Sequence, residues 1–164
     1  MKRFKDITGL SYTYSIEDAI FDGDVNRRLL MKVTGLNNSV ESSTPAVLEV
    51  ENPIPNAPGG LGTRLRQDTE THASFTLYWN RVVVPDLEGY KVWAGDSPDF
   101  TPSDDTLVYQ GDQLETDIVI EKYDDDEKPD TPNVLREKYW CVGAFDCWGD
   151  EVGLSGVKRV EQIA

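Results

Sequence analysis

The stretch Phe75-Thr76-Leu77-Tyr78-Trp79 decides the fold, because large apolar side chains occupy every odd-numbered position in it. A spacing of two is the spacing of side chains on one face of a β-strand. We therefore predict a strand whose Phe75, Leu77 and Trp79 side chains point into a hydrophobic core. Trp79, the largest of them, is the predicted anchor of that core.

A second strand, predicted at residues 89–94, carries the same alternation. Tyr90 and Val92 point to one side, while Lys91 assigns the opposite side, with Trp93, to solvent or to a partner. Val142, in the strand predicted at residues 139–145, is also assigned to the core.

Short strands separated by turn residues recur along the chain. They are predicted at 10–16, 28–36 and 46–50, and then at 74–80, 89–94, 106–109, 117–121, 139–145 and 157–163. No stretch has the sustained three-and-four apolar spacing of an amphipathic helix, so regular helix should be scarce. Short strands without crossover helices favour an all-β protein, an antiparallel β-sandwich, over a parallel α/β sheet.

A proline-rich segment divides the chain. Three prolines lie within six residues, Pro53 to Pro58, and Gly59 and Gly60 follow them. Each proline fixes its own φ and disfavours helix in the residue before it, so the segment should be stiff. We predict a linker at 53–60 between a first domain at 1–52 and a second at 61–164.

The charge of the chain limits its partners. Sixteen Lys and Arg against thirty Asp and Glu give a net charge of −14. Residues 1–52 hold six basic and eight acidic side chains, so residues 53–164, with ten and twenty-two, carry most of the excess. Such a surface repels nucleic-acid phosphates and anionic lipids, and no window approaches the roughly 20 apolar residues of a membrane helix. We expect no nucleic-acid partner and no membrane insertion.

Catalytic and metal-binding patterns are weak. Two cysteines, Cys141 and Cys147, and a single histidine, His72, do not make a convincing metal centre, and we expect the thiols to be reduced and structural. Ser155 does not lie in a Gly-x-Ser-x-Gly elbow. The acidic run Asp124 to Asp130 could bind calcium or could be a solvated loop. We predict no enzyme activity, no cofactor and no metal.

Three aromatic residues are candidate partner contacts. Trp93 and Tyr139 fall on the outer face of one sheet in the predicted phase, where exposed aromatic side chains can anchor a partner. The alternative is that Trp93 packs under neighbouring structure in a purely structural role. Trp148, in the turn after residue 146, could be a contact at a loop tip or a residue tucked into the turn.

The second part of the chain resembles a fibronectin type III domain over about residues 53–164. The resemblance is carried by four segments: Pro55 to Leu61, Phe75 to Trp79 as strand B, Leu87 to Trp93 as strand C, and Val142 to Gly149 from strand F onward. It implies an immunoglobulin-like β-sandwich. Strand F of this family usually carries a tyrosine four residues before the valine, whereas this chain has Lys138 there and Tyr139 one place later. Either strand F has a bulge or the tyrosine corner is absent.

Residues 6–52 resemble the second half of another such domain, without its first three strands. In this reading Tyr12-Thr13-Tyr14 is strand E, residues 29–34 are strand F and residues 46–50 are strand G. A half-sandwich does not bury its inner face alone, so the chain would be a fragment of a longer polypeptide. The side chains concerned would be partly exposed, docked on the second domain or covered by another copy; they are Tyr12, Tyr14, Met31 and Val33.

Several motifs together are similar to host-specificity proteins of tailed bacteriophages, which form the tail tip or central fibre. They are Tyr12-Thr13-Tyr14, Asp22-Gly23, Arg27-Arg28, Glu41-Ser42, Val50 to Pro53, Phe100 to Asp104, Leu107 to Tyr109 and Phe145 to Gly149. The resemblance implies a non-catalytic module of the virion tail that takes part in host attachment. Its partners would be other tail-tip proteins, copies of itself or a bacterial surface receptor. The alternative is an extracellular accessory module of a secreted polysaccharide-degrading enzyme or of an adhesin.

Overall fold

A computed structural model describes residues 5–23, 26–123, 134–135, 137–148 and 152–159. The chain divides into two compact units, Met1–Pro53 with Cys147–Asp150, and Ile54–Asp146 with Glu151–Ala164. Regular structure is almost entirely antiparallel β-strand, so the protein is all-β, as the period-two patterns predict. None of the helices in the described ranges has the length and apolar character needed to span a membrane.

The first unit contains a helix, a two-stranded ribbon and a short hairpin. Its elements are α1 (Ile16–Asp22), β1 (Arg28–Val33), β2 (Leu36–Asn37), β3 (Val40–Glu41) and β4 (Ala46–Glu51). β1 and β4 pair as the antiparallel ribbon, and β2 and β3 pair as the hairpin. Asn38 and Ser39, between β2 and β3, both have positive φ, as a type I′ turn requires. The strands predicted at 28–36 and 46–50 are confirmed, although the first ends at Val33.

The predicted strand at Tyr12-Thr13-Tyr14 is wrong. Residues 11–15 have no regular structure, and α1 begins directly after them. Ser15 caps the helix, because its hydroxyl accepts a hydrogen bond from the Asp18 amide while the Asp18 carboxylate accepts one from the Ser15 amide. Gly23 ends the helix at φ +76°. This local capping box overrides the apolar alternation of residues 10–16.

The second unit contains two antiparallel sheets. Its elements are β5 (Gly62–Asp68), β6 (His72–Tyr78), β7 (Leu87–Gly95), the 3₁₀ turn η1 (Asp104–Thr106), β8 (Leu107–Gly111), β9 (Glu115–Tyr123), β10 (Val134–Leu135), β11 (Tyr139–Asp146), β12 (Gly153–Leu154) and β13 (Lys158–Arg159). One sheet has the order β10-β9-β6-β5. The other has the order β12-β11-β7-β8, with β13 also paired to β11. The sequence patterns predicted six of these strands within a few residues, and missed β5, β10 and β12.

The pairing of β7 with β11 shows whether the strand predicted at residues 139–145 contains the bulge considered above. Tyr139 pairs with Gly95 and Val142 with Val92 in unbroken register, and the irregularity lies later, between Phe145 and Asp146. A bulge between Tyr139 and Val142 is therefore excluded. Lys138, at the expected tyrosine position, instead binds the Asp96 carboxylate through its ammonium group.

Both sheets of the second unit contribute to one hydrophobic core. The six residues assigned to it from the sequence are all buried: Phe75, Leu77, Trp79, Tyr90, Val92 and Val142. Leu61, Ile118, Ile120, Trp140 and further residues of both sheets complete the cluster. The two sheets therefore pack face to face in a β-sandwich-like arrangement.

The proline-rich segment packs within the second unit rather than standing apart from it. Pro55 and Pro58 are buried. The Asn80 amide donates a hydrogen bond to the Gly59 carbonyl oxygen at 2.8 Å, and a Cβ on Gly153 would collide with the backbone of Pro55. The boundary between the two units therefore lies at the start of the proline-rich segment, between Pro53 and Ile54.

Three aromatic rings are in contact in this core: Trp79 and Tyr90 are buried, and Tyr109 is partly buried. The ring centroid of Trp79 lies 5.7 Å from that of Tyr90 and 5.9 Å from that of Tyr109, with the planes tilted by 58° in both pairs. These are favourable tilted geometries. The Tyr90 hydroxyl also accepts a buried hydrogen bond from the Val82 amide at 3.0 Å, which fixes the loop after β6.

We expect Tyr90→Phe to lower the free energy of unfolding by about 1–3 kcal/mol, because the buried Val82 amide loses its acceptor. Urea titration followed by tryptophan fluorescence measures the change. Tyr109→Phe is the matched control: its hydroxyl accepts from the exposed Gln113 amide, which water can satisfy, so the loss should be well below about 1 kcal/mol. Equal losses in the two variants would contradict the assignment.

Candidate functional site

Trp93, a predicted exposed contact, is buried, with 6% of its surface exposed. Trp93 does lie on the face of the sheet that points away from the core. The neighbouring cross-strand pair, Val92 with Val142, belongs to the core cluster, so the next pair, Trp93 with Cys141, points the opposite way. Its indole lies over Gly143, where a Cβ would stand 3.0 Å from the ring atom Cζ3. Of the two alternatives left open for Trp93, the exposed contact is wrong and the structural role is confirmed: Gly143 leaves a recess, and the Trp93 indole fills it.

Tyr139 shares the face of Trp93 but is only partly exposed. Its hydroxyl donates a hydrogen bond to Glu137 Oε2 at 3.2 Å, and its cross-strand partner is Gly95. Trp148, the third candidate, is half-buried and belongs to the first unit. Two of the three predicted contacts thus share a face, but they do not present an exposed aromatic patch there.

Aromatic rings cover glycines throughout the second unit. In each case a Cβ added to the glycine would come within about 3.2 Å of the ring; the pairs are Tyr78 with Gly62, Trp93 with Gly143, Phe100 with Gly95, Tyr109 with Gly111, and Phe145 with Gly89. A glycine in a strand exposes backbone and packs nothing, and a neighbouring ring compensates for both losses. The aromatic side chains near these glycines are therefore largely used within the fold.

A polar ladder crosses the outer face of the sheet that contains β5, β6 and β9. Thr76 donates a hydrogen bond to Asp117 at 2.9 Å and accepts one from Arg66 at 3.3 Å. Arg66 and Asp117 are also an ion pair at 3.6 Å, and Arg64 pairs with Glu115 at 3.5 Å. Each acidic group on these rungs has a basic partner, so the ladder neutralises part of an otherwise acidic unit.

The residues weighed for chemistry have structural partners. Ser155 lies between β12 and β13, which both pair with β11. Its Oγ accepts a hydrogen bond from the Val142 amide of β11 at 3.0 Å. His72 Nδ1 lies 3.2 Å and 3.1 Å from the hydroxyls of Thr69 and Thr71. Cys141 is buried, and that burial raises the pKa of its thiol from 9.0 to about 11, so it is a poor nucleophile at neutral pH.

The candidate cation site lies beyond the residues that can be described, since Asp124 to Asp130 are not among them. Within the described ranges, no group of three or more His, Cys, Asp or Glu side chains is arranged to hold a metal ion. A cleft of about 40 Å³ between Leu61 and Trp140 has room for no more than a few water molecules. A wide-open depression of about 570 Å³ along residues 35–42 follows the hairpin surface and encloses nothing.

The most distinctive surface is on the first unit. The pairing of β1 with β4 brings six apolar side chains to one side of the ribbon, which we call the apolar ribbon face: Leu29, Met31, Val33, Ala46, Leu48 and Val50. Met31 and Val33 were singled out in the sequence, and the other four were missed. Period two in both strands, with charges at 28, 32, 49 and 51, was the available signal.

The apolar ribbon face is largely exposed. Val33 is 61% exposed and Leu48 56% exposed, and Ala46 and Val50 are also exposed, whereas Leu29 and Met31 are half-buried. Among the described residues of the first unit only Ala19 is fully buried. An isolated two-stranded ribbon is marginally stable in water, so this face is a candidate docking surface.

Comparison with known proteins gave no match: no family model matches the sequence, and no curated protein does.

We expect Trp93→Ala to lower the free energy of unfolding by roughly 3–5 kcal/mol, the usual cost of removing a large buried aromatic side chain. Urea unfolding followed by circular dichroism measures it. An unchanged midpoint would mean that Trp93 is exposed in solution and would restore it as a candidate contact.

We expect the stability of the protein to fall as the pH rises from about 9 to about 11, the interval between the ordinary pKa of a cysteine and that of buried Cys141. In this interval the unfolded chain loses a thiol proton that the folded chain retains, which favours unfolding. The free energy of unfolding of Cys141→Ala should fall less steeply over this interval than that of the parent protein. Identical slopes in the parent and Cys141→Ala would contradict the burial of this thiol.

Proposed function

We propose that this chain is a non-catalytic structural and binding module, built around a fibronectin type III-like domain, of a tail-tip protein in a tailed bacteriophage. Its work is mechanical: a stiff β-structure sets the reach and orientation of the tail tip, while surfaces and loops make contacts. Its partners are other tail-tip proteins, copies of itself or a receptor on the bacterial surface.

The strand order supports the fibronectin type III assignment. β5, β6 and β9 form the core of one sheet, and β8, β7 and β11 with β12 and β13 form the other. This corresponds to strands A, B and E facing strands C′, C, F and G, an arrangement of the immunoglobulin-like type. Two residues that carry the sequence resemblance, Trp79 directly after strand B and Tyr90 on strand C, are neighbours across the core.

One observation carries the binding part of the proposal: the apolar ribbon face is an exposed apolar surface on a protein whose described cleft between the sheets holds about 40 Å³. Pockets for small organic ligands usually enclose about 300–1,000 Å³, whereas the 570 Å³ depression along residues 35–42 is wide open to solvent. Flat apolar surfaces, by contrast, are typical of contacts with other proteins. The geometry therefore favours recognition of a macromolecule over conversion of a small substrate.

The proposal predicts that antiserum raised against the 164-residue chain labels the tail tip of virions produced from the genome that encodes it. Negative-stain electron microscopy with gold-labelled antibody measures where the label lies on the virion. Virions incubated with the serum beforehand should adsorb less to host cells. The control is the same serum after its specific antibodies have been removed with the purified chain.

Virions without label, or label on the capsid alone, would contradict the tail-tip assignment. Detection of the chain in the culture fluid of a bacterium that produces no virions would instead favour the accessory module of a secreted enzyme or an adhesin.

A further inference from the structure

We propose that Asn38, at the tip of the β2–β3 hairpin, is a modification site at which asparagine converts spontaneously into aspartate or isoaspartate with loss of ammonia. Asparagine is one of the chemically labile residues of proteins. Its reaction partner is the backbone nitrogen of the next residue, which is most accessible where that residue has a small side chain. Asn38 precedes Ser39, and of the six other asparagines only Asn56, which precedes Ala57, has a comparably small successor.

The reaction needs only water. The Ser39 backbone nitrogen bonds to Cγ of Asn38, and its proton leaves with the Asn38 side-chain nitrogen as ammonia. The product is an imide ring in which the Ser39 nitrogen is bonded to both carbonyl carbons of residue 38. Water then adds to one of them: opening at Cγ gives aspartate, and opening at the main-chain carbon gives isoaspartate, whose backbone runs through the side chain. No oxidant or reductant takes part.

The hairpin leaves both reacting groups accessible. Residues 36–41 are all exposed. The paired residues of β2 and β3 flank the two-residue turn, so the Ser39 amide lies outside the ladder. Within the described part of the chain, neither Asn38 nor Ser39 has a side-chain hydrogen bond. No side-chain contact therefore has to break before the nitrogen and the amide carbon can meet.

The turn can also rotate at small cost. Asn38 and Ser39 have φ of +47° and +67°, the only positive values at non-glycine residues in the described ranges. Side chains other than glycine rarely adopt this region of the backbone, and serine is less suited to it than asparagine. Each strand of the hairpin has two paired residues, and the Ser42 amide closes its base by a hydrogen bond to the Gly35 carbonyl oxygen at 2.9 Å. Such a short hairpin opens far more easily than a whole unit, which lets the Asn38 side chain swing onto the Ser39 nitrogen.

Asn56 is an internal control, because it is also exposed and also precedes a small residue but is held in place. It lies between Pro55 and Pro58, which are buried. The Ala57 nitrogen lies against β12, where a Cβ added to Gly153 would stand 2.8 Å from it. The rotation that brings the Asn56 side chain onto this nitrogen would disturb packing within the second unit. Asn56 should therefore react much more slowly than Asn38 while the protein is folded.

The two products should differ in their effect on the hairpin. Either one replaces a neutral amide with a carboxylate and takes the net charge of the chain from −14 to −15. An aspartate tolerates positive φ and keeps the turn. An isoaspartate adds a methylene to the main chain, so the two-residue turn no longer has the length that pairs Asn37 with Val40. Its formation should open the β2–β3 hairpin and leave the second unit unchanged.

The test is to incubate the folded 164-residue chain at mildly alkaline pH and to follow it by isoelectric focusing. A species more acidic by one charge should accumulate, and mass spectrometry of its proteolytic peptides should place the change at Asn38. An isoaspartyl methyltransferase should methylate the peptide that carries residue 38, which identifies the isoaspartate. In the chain unfolded by urea, Asn38 and Asn56 should both react, because their difference in rate depends on the fold.

Asn38→Gln should abolish the acidic species, because the longer side chain closes the ring far more slowly. The matched variant Asn56→Gln should leave the rate of its formation unchanged. Survival of the acidic species in Asn38→Gln, equal rates at Asn38 and Asn56 in the folded chain, or the absence of an acidic species would overturn the proposal. None of these measurements depends on the bacteriophage setting of the proposed function.

Discussion

The contact of Trp79 with Tyr90 and Tyr109 is the interaction on which the second unit depends. Trp79 follows a strand of one sheet, while Tyr90 and Tyr109 lie in the other, so the three rings join the two layers. The Tyr90 hydroxyl then holds the Val82 amide, and with it the segment between β6 and β7. Burial of Trp79 and Tyr90, with partial burial of Tyr109, contributes apolar area to the core that joins the two sheets.

The strands that build this core could be predicted because a buried face imposes period two on the sequence. Phe75 and Leu77 on β6 and Tyr90 and Val92 on β7 carry that signal directly. β5 escaped prediction because its strand Gly62–Asp68 is mostly exposed and carries polar side chains, so no alternation marks it. The helix α1 escaped prediction for the opposite reason, since an apolar alternation was present and the Ser15–Asp18 capping box outweighed it.

Predicting which aromatic side chains are exposed failed for a physical reason that single-strand periodicity does not contain. Alternation along β7 places Trp93 correctly on the side away from the core, but exposure depends on the next strand. Gly143 on β11 leaves room for the indole, just as Gly95 leaves room for Phe100. A sheet face is two-dimensional, and a glycine on one strand determines the burial of a ring on its neighbour. The sequence contains both residues, but only the register brings them together.

The aromatic side chains near glycines in the second unit are used within its fold, so the candidate docking surface lies on the first unit. In the second unit, rings cover glycines, and the Arg64 and Arg66 ladder occupies an outer sheet face with paired charges. The first unit has the reverse character: one of its described residues is fully buried, while the β1–β4 ribbon has six apolar side chains on one face and four charged side chains with Leu30 and Val47 on the other. Most of the net negative charge lies after residue 52, so the second part of the chain repels anionic partners more strongly than the nearly neutral first part does. An isolated two-stranded ribbon is marginally stable in water, so any structure that covers its apolar face would add to the stability of the first unit.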